Sequence, residues 1–444
     1  MQFATTNGGL PTVKLSMRPL LTVLGTAAFL TISTMASATQ GYFTLGTGPV
    51  SDGLAGAGVA LPQDSSIGAV NPAGIVRVGN QFNFSGALFQ PTRSYDITGN
   101  PSGVKGTFGL TPGKVTSRDN DFGIPSLGYT HKLSPNSAFG FNIYANGGLN
   151  TDYPGSAGGG AGTFYSGPAG VNLEQLFLVP SYSLSLSKQW AVGASVVGAY
   201  QIFSASGLAS FGSFVADGTP NDLTNNGNDS SFSVGGKLGV LYTASPTLSL
   251  GATYQSRTTG SKFDKYSDLF ANNGSFDVPA TATGGLAWHV SPSGVLAADV
   301  QYIWYGGVAA VSNPFGNLTS GQKSGLLGGS NGAGFGWKNT TYYKVGFQQS
   351  ISKTWTLRGG VAYGRQPIPS SQVLFNILAP GVTEWHYALG ASAKVTKKSE
   401  VSFAVTYAPS TTVSGPNPLE VPGQQTISLN MHQIQYEVGY SVKF

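Results

Sequence analysis

The stretch His432-Gln433-Ile434-Gln435-Tyr436-Glu437-Val438-Gly439-Tyr440-Ser441-Val442-Lys443-Phe444 decides the fold class. Its even positions hold His, Ile, Tyr, Val, Tyr, Val and Phe, and its odd positions hold Gln, Gln, Glu, Gly, Ser and Lys. A β-strand sends successive side chains to opposite faces. One face is therefore apolar, with aromatic residues toward both ends, and the other is polar. In a soluble sandwich the apolar face would meet a second sheet. In a membrane barrel it meets lipid, the aromatics mark the interfaces, and the polar face turns to the lumen.

Composition selects the membrane reading. The chain has 444 residues, 64 Gly, 25 Pro and no Cys, and only 9% are charged. Soluble domains carry about 25% charged residues. The only apolar run approaching ~18 residues lies at the N-terminus, which excludes a helical membrane protein. Gly and Pro together make about a fifth of the chain, below the ~25–30% that would suggest disorder. The lack of Cys removes disulfides, thiol nucleophiles and Cys-based metal sites. A Gly- and aromatic-rich chain with few charges and no long apolar helix fits an outer-membrane β-barrel.

Residues 1–38 read as a secretory signal: Lys14 and Arg18, an apolar stretch from Leu20 to Ile32, then Ala36-Ser37-Ala38 at the cleavage position. No acid precedes Ala38, so cleavage there takes the formal charge from +5 to +3. This near-neutral balance, without a basic cluster, argues against a nucleic-acid partner.

The alternation of the last segment recurs upstream. Val401, Phe403, Val405 and Tyr407 share a face, as do Trp385, Tyr387 and Leu389, and Leu248, Leu250, Ala252 and Tyr254. Trp355, Leu357, Val361 and Tyr363 share another, with Arg358 on the opposite side. The chain reads as an all-β, transmembrane antiparallel barrel of about fourteen strands over 81–444. The predicted spans are 81–95, 121–132, 138–149, 173–186, 190–203, 232–244, 247–258, 280–290, 295–305, 339–350, 354–364, 384–395, 399–409 and 431–444. Every second connection is short, and the others are expected to run from about 20 to over 30 residues, the pattern of periplasmic turns and extracellular loops.

Residues 39–80 lack strand alternation. Gly53-Leu54-Ala55-Gly56-Ala57-Gly58-Val59-Ala60 permits close backbone approach, and Asn71-Pro72-Ala73 suits a helix start with Asn as cap and Pro at the first helical position. A fourteen-stranded lumen is wide enough to need filling. The segment is therefore expected to be a plug, or hatch, inside the lumen.

Several segments together resemble the FadL family of outer-membrane transporters for long-chain fatty acids and other hydrophobic compounds, which includes relatives that take up aromatic hydrocarbons. They are Gly41-Tyr42-Phe43, Ser51-Asp52-Gly53-Leu54-Ala55-Gly56-Ala57-Gly58, Asn71-Pro72-Ala73-Gly74, Asn146-Gly147-Gly148-Leu149-Asn150-Thr151-Asp152-Tyr153 and Thr356-Leu357-Arg358-Gly359-Gly360-Val361-Ala362-Tyr363. The resemblance spans about 40–444. It implies passive uptake: capture of a hydrophobic ligand by extracellular loops, passage to a pocket in the barrel, and sideways exit into the outer membrane through an inward kink of the third strand. It implies no cofactor. Outer-membrane lipid and a hydrophobic small molecule are the expected partners, and a monomer is expected.

Carried over by position, the kink falls on Asn146, Gly147, Gly148 and Leu149. Glycine inside a strand marks a bend without the analogy too; an ordinary strand end is the alternative. The capture groove is expected in 204–231, with Leu208, Phe211, Phe214 and Val215, and in 259–279, with Tyr266, Leu269, Phe270 and Phe276. Fatty-acid members hold the carboxylate with basic residues in the lumen, which points to Lys338 and Arg358. Pairing of these two with Glu384 or Asp299 is the alternative. The strand 190–203 carries no Arg or Lys, a departure that leaves room for a neutral hydrophobe.

No enzyme signature survives. The four His stand apart from one another, and Gly328-Gly329-Ser330-Asn331-Gly332 matches a nucleophile elbow only in letters, because it lies in a Gly/Ser-rich loop. The rival readings are a general diffusion porin, which needs an open polar constriction, and an adhesin or phage receptor built on the long loops.

Overall fold

The structure is a computed structural model and describes residues 40–157 and 160–444. The expected signal segment, 1–38, lies outside the described residues.

Fourteen long antiparallel strands form one sheet closed on itself. In chain order they are β1 (Gln81–Thr98), β2 (Phe122–Ser134), β3 (Ser137–Tyr153), β4 (Ala169–Ser185), β5 (Trp190–Ser206), β6 (Asp229–Ser245) and β7 (Leu248–Gln255). There follow β8 (Thr281–His289), β9 (Gly294–Ile303), β10 (Thr340–Ser350), β11 (Trp355–Gly364), β12 (Trp385–Lys394), β13 (Ser399–Pro416) and β14 (Thr426–Lys443). Each pairs with its sequence neighbour, and β14 pairs with β1 from Gln81–Lys443 to Thr98–Thr426, which closes the ring. Closure leaves no edge strand at either end of the sheet. Two short strands lie apart from this ring: Gly113–Thr116 on β1 and Thr259–Gly260 on β6.

The alternation read in β14 sorts its faces. Tyr436, Val438 and Tyr440 are 41, 55 and 46% exposed, whereas Gln433, Gln435 and Glu437 are 3, 9 and 5% exposed. The apolar side chains therefore form the outer surface and the polar ones point inward, the reverse of a water-soluble protein.

Short turns at one end (135–136, 186–189, 246–247, 290–293, 351–354 and 395–398) alternate with long loops at the other. Two of the long connections are shorter than expected: 154–168 and 417–425. Their flanking strands run on beyond the lipid-facing pattern. The β13–β14 ladder continues to Pro416–Thr426 after a bulge between Ala408 and Thr411. Its Ser/Thr-rich tip lacks the apolar periodicity that would disclose it.

Residues 40–80 fold as short helical turns at Pro49–Asp52, Ile67–Val70, Pro72–Gly74 and Ile75–Val78. They pack on inward positions of strands spread around the ring. A Cβ added at Gly251 would lie 2.5 Å from the Val59 carbonyl oxygen, at Gly360 2.5 Å from the Leu54 carbonyl carbon, at Gly390 2.9 Å from Gly53 Cα, and at Gly439 2.8 Å from Pro49 Cγ. Glycine at these wall positions provides the room in which the segment sits. Asn71 Oδ1 caps the Pro72–Gly74 turn by accepting from the Ala73 N–H (3.0 Å), and its Nδ2 donates to the carbonyls of Val59 (2.8 Å) and Val240 (3.1 Å).

Candidate functional site

At the long-loop end, four loops converge on an apolar chamber. Leu208 and Phe211 enter from loop 207–228, Leu269 and Phe270 from 256–280, Phe335 from 304–339 and Phe375 from 365–384. The local turns Ala209–Phe214 and Val373–Asn376 aim Phe211 and Phe375 at each other, with ring centroids 5.4 Å apart. Four of the expected capture residues, Leu208, Phe211, Leu269 and Phe270, line this chamber. Phe214 packs on the same core, and Val215 is buried within it. Tyr266 stands edge-on to Phe203 at 4.9 Å and donates its hydroxyl to the Gly227 carbonyl (2.6 Å). Nearby, Arg257 meets Asp277 at 3.4 Å; burial holds the Asp277 carboxyl above the usual range, against the pull of that cation.

Phe276 leads inward. Its ring lies 5.0 Å from Phe270 and 6.2 Å from Tyr42. Tyr42 then stacks on Phe43 (5.2 Å), meets Tyr305 edge-on (5.6 Å) and approaches Trp337 (5.8 Å). Asn376 fixes Trp337 by accepting its indole N–H at 2.6 Å. The Tyr305 hydroxyl donates to the Gln40 carbonyl.

This aromatic cluster abuts the break in β3. The β3–β4 register shifts between Ala145 and Gly147, and Gly147 has φ 150°, a backbone that L side chains rarely adopt. The N-terminal segment pairs with the bend. Thr44 N–H donates to the Asn146 carbonyl (2.9 Å), and Gly148 N–H donates to the Tyr42 carbonyl (3.1 Å). Asn146 Nδ2 donates to Gln175 at 3.0 Å, and Leu149 is buried just beyond. Toward the long-loop end, the described β2–β3 pairing stops at Ser126–Tyr144, although Phe122–Pro125 still pair with β1. The wall is thus interrupted beside the bend. Above the interruption, Asp152 joins Arg118 at 2.9 Å and its N–H donates to Ser117 Oγ (3.0 Å). The Arg93 guanidinium sits 5.3 Å over the Phe122 ring and donates to the Asn150 carbonyl at 2.5 Å.

Phe43 and Thr44 also line a polar cavity. Lys237 and Lys344 border it and hold the N-terminal segment: Lys237 Nζ donates to the Ala69 carbonyl, and Lys344 Nζ to the Leu45 carbonyl (2.8 Å). The sequence reading missed both. Their signal was available, because Lys237 precedes outward Leu238 and Lys344 lies between outward Tyr343 and Val345.

Two expected ligand cations are elsewhere. Lys338 is exposed on the loop and does not line the chamber, whereas its neighbour Trp337 is buried. Arg358 does face inward, but it lies toward the short turns and donates to Ser392 Oγ at 2.6 Å. The suggested counter-acids are engaged otherwise. Asp299 accepts from Gly58 and Val59 N–H groups, and Glu384 from the Gln366 N–H.

A sequence model described as "Outer membrane protein transport protein (OMPP1/FadL/TodX)" matches residues 27–438. The chain belongs to this family. No curated protein sequence matches it. Among solved structures, a Pseudomonas aeruginosa FadL homologue aligns with a TM-score of 0.67 at 14% identity, covering 91% of this chain and 100% of that one. The P. putida toluene transporter TodX aligns at 0.66 and 18%, covering 90% and 99%. The Ralstonia pickettii toluene transporter TbuX gives 0.59 and 20%, covering 90% and 99%. At such identities the likeness establishes the barrel architecture. As an OMPP1/FadL/TodX member, the chain is a transport protein of the outer membrane.

Proposed function

We propose that this protein takes up small, uncharged hydrophobic molecules through the outer membrane and releases them sideways into the bilayer. The observation that carries the reading is the interruption of the wall between β2 and β3, placed below an apolar chamber and beside the bend at Asn146–Gly148. The long loops face outward and capture the ligand. The aromatic cluster of Phe276, Tyr42 and Trp337 passes it to the bend. Residues 40–80 act as the plug that denies it a straight aqueous route. Burying roughly 150 Å² of ligand contributes about 4 kcal/mol at ~25 cal/mol per Å². That corresponds to dissociation constants of about a millimolar, tight enough to capture and weak enough to release into lipid. No energy source is required, since the route ends in hydrocarbon. The ring is complete within one chain, so the barrel needs no second copy to close.

A neutral ligand is favoured over a carboxylate. The chamber lining contains no charged side chain, and Lys237 and Lys344 are engaged by carbonyls of the plug. The toluene transporters TodX and TbuX, which share the barrel architecture, point the same way. The test is competition for the purified protein among labelled oleate, toluene and a medium-chain alkane. Toluene or the alkane should displace a labelled neutral probe, and oleate should do so poorly. Preferential binding of oleate would overturn the ligand class. A large, steady open-channel current in planar bilayers would overturn the plugged transporter in favour of a porin.

A further inference from the structure

We propose that the short-turn mouth of the barrel is a binding site for one phosphate group, held between Arg358 and the turn Lys397-Lys398. Inward alternation places Arg358 of β11, Lys394 of β12 and Lys443 of β14 on a common recess, to which the turn adds Lys397 and Lys398. Asp64 and Glu400 are the acids on its border, so five cations face two carboxylates. Among the described residues no ion pair joins these groups. Asp64 and Glu400 offset part of the charge, and the excess of three cations is left for a ligand.

Arg358 supplies the second observation. It is 7% exposed, yet its guanidinium is short of acceptors. Nη1 donates to Ser392 at 2.6 Å, Nη2 reaches Gln63 only at 3.5 Å, and buried Nε has no partner. A guanidinium offers five N–H donors, and burying such donors unmatched is costly. A phosphate presents several acceptor oxygens in the geometry that the guanidinium fork matches.

Two sources can deliver that phosphate. Trp355 and Val395 are exposed on the outer face at the same end of the barrel, at 48 and 61%, so the recess lies at the height of lipid headgroups. A soluble phosphate can also reach it, since Lys394, Lys397, Lys398 and Lys443 are all exposed. Gln63 and Asp64 belong to the plug, so an anion held here braces the plug against the wall. The inference is independent of the hydrophobic cargo.

The test uses the full-length mature protein in an uncharged detergent, titrated separately with inorganic phosphate and with dioctanoyl phosphatidylglycerol. Calorimetry follows the first and native mass spectrometry the second. Dioctanoylglycerol, which lacks the phosphate, is the control. Saturable binding is expected for phosphatidylglycerol, with no competition from dioctanoylglycerol. The double variant Lys397→Gln/Lys398→Gln, confined to an exposed turn, should weaken it about tenfold, and Arg358→Gln should weaken it at least as much. Saturation by the lipid alone assigns a headgroup site; saturation by inorganic phosphate as well assigns a site open to soluble anions. If neither probe saturates, or if the turn variant binds like the wild type, the proposal is overturned.

Discussion

The backbone N–H of Val59 donates to Oδ2 of Asp299 at 2.9 Å, tying the N-terminal segment to the inner face of β9. The Gly58 N–H uses the same oxygen at 2.8 Å. One carboxylate therefore satisfies two adjacent amides that the wall's own ladder cannot reach. Asp299→Leu should strand both, at a cost of about 1–3 kcal/mol for each buried group left unpaired. The expected outcome is intermittent small-ion current in planar bilayers from the variant and none from the parent protein. A variant as silent as the parent would show that this tie does not hold the plug.

Adjacent Gly359 and Gly360 offer a matched pair. A Cβ at Gly360 would meet Leu54 backbone at 2.5 Å, whereas at Gly359 its nearest neighbour is Leu389 Cδ2 at 3.7 Å. Gly360→Val should lower stability by about 1–3 kcal/mol or more through overpacking, and Gly359→Val should leave it nearly unchanged. Heat-dependent mobility of the barrel on denaturing gels reads this out directly. Equal effects at the two positions would refute the inward–outward assignment.

Replacing Gly147-Gly148 by Val-Val should straighten β3, since Gly147 holds φ 150°. Hydrocarbon uptake into cells or proteoliposomes should fall about tenfold, the equivalent of ~1.4 kcal/mol on the limiting step. Ligand binding at the outer chamber should persist. Full uptake in this variant would rule out sideways release beside the bend.

Phe375 tests the chamber from a loop that sequence reading did not implicate. It packs edge-on against Phe211 at 5.4 Å and Phe315 at 4.8 Å. Phe375→Ala should weaken binding of a neutral aromatic probe as strongly as Phe211→Ala, by about tenfold. Equilibrium titration with a fluorescent hydrophobe makes the comparison. An effect confined to Phe211 would restrict the capture site to the two loops first suspected.

The strands were legible because lipid demands a strict period of two. Tyr436, Val438 and Tyr440 face out because nothing else could be placed in hydrocarbon. Where the chain leaves the membrane the demand lapses, so the continuation of β13 to Pro416 carried no signal. The chamber was half legible. Clustered Phe and Leu marked Leu208, Phe211, Leu269 and Phe270, but the contributions of Phe335 and Phe375 depend on loop packing that has no period. Of the two cations, Arg358 faces inward as its alternation indicated, and Lys338 does not. Lys338 was chosen by resemblance, while strand alternation alone would have selected Lys344, which is the one inside. Glycine was the largest unread signal: Gly251, Gly360, Gly390 and Gly439 look like ordinary strand glycines until the segment that passes them is in view.

Those bare wall positions bear on how the molecule unfolds. A segment of some forty residues that touches the ring at so many bare positions is part of the barrel's own core. The staves and what they enclose are therefore expected to melt together, as one unit.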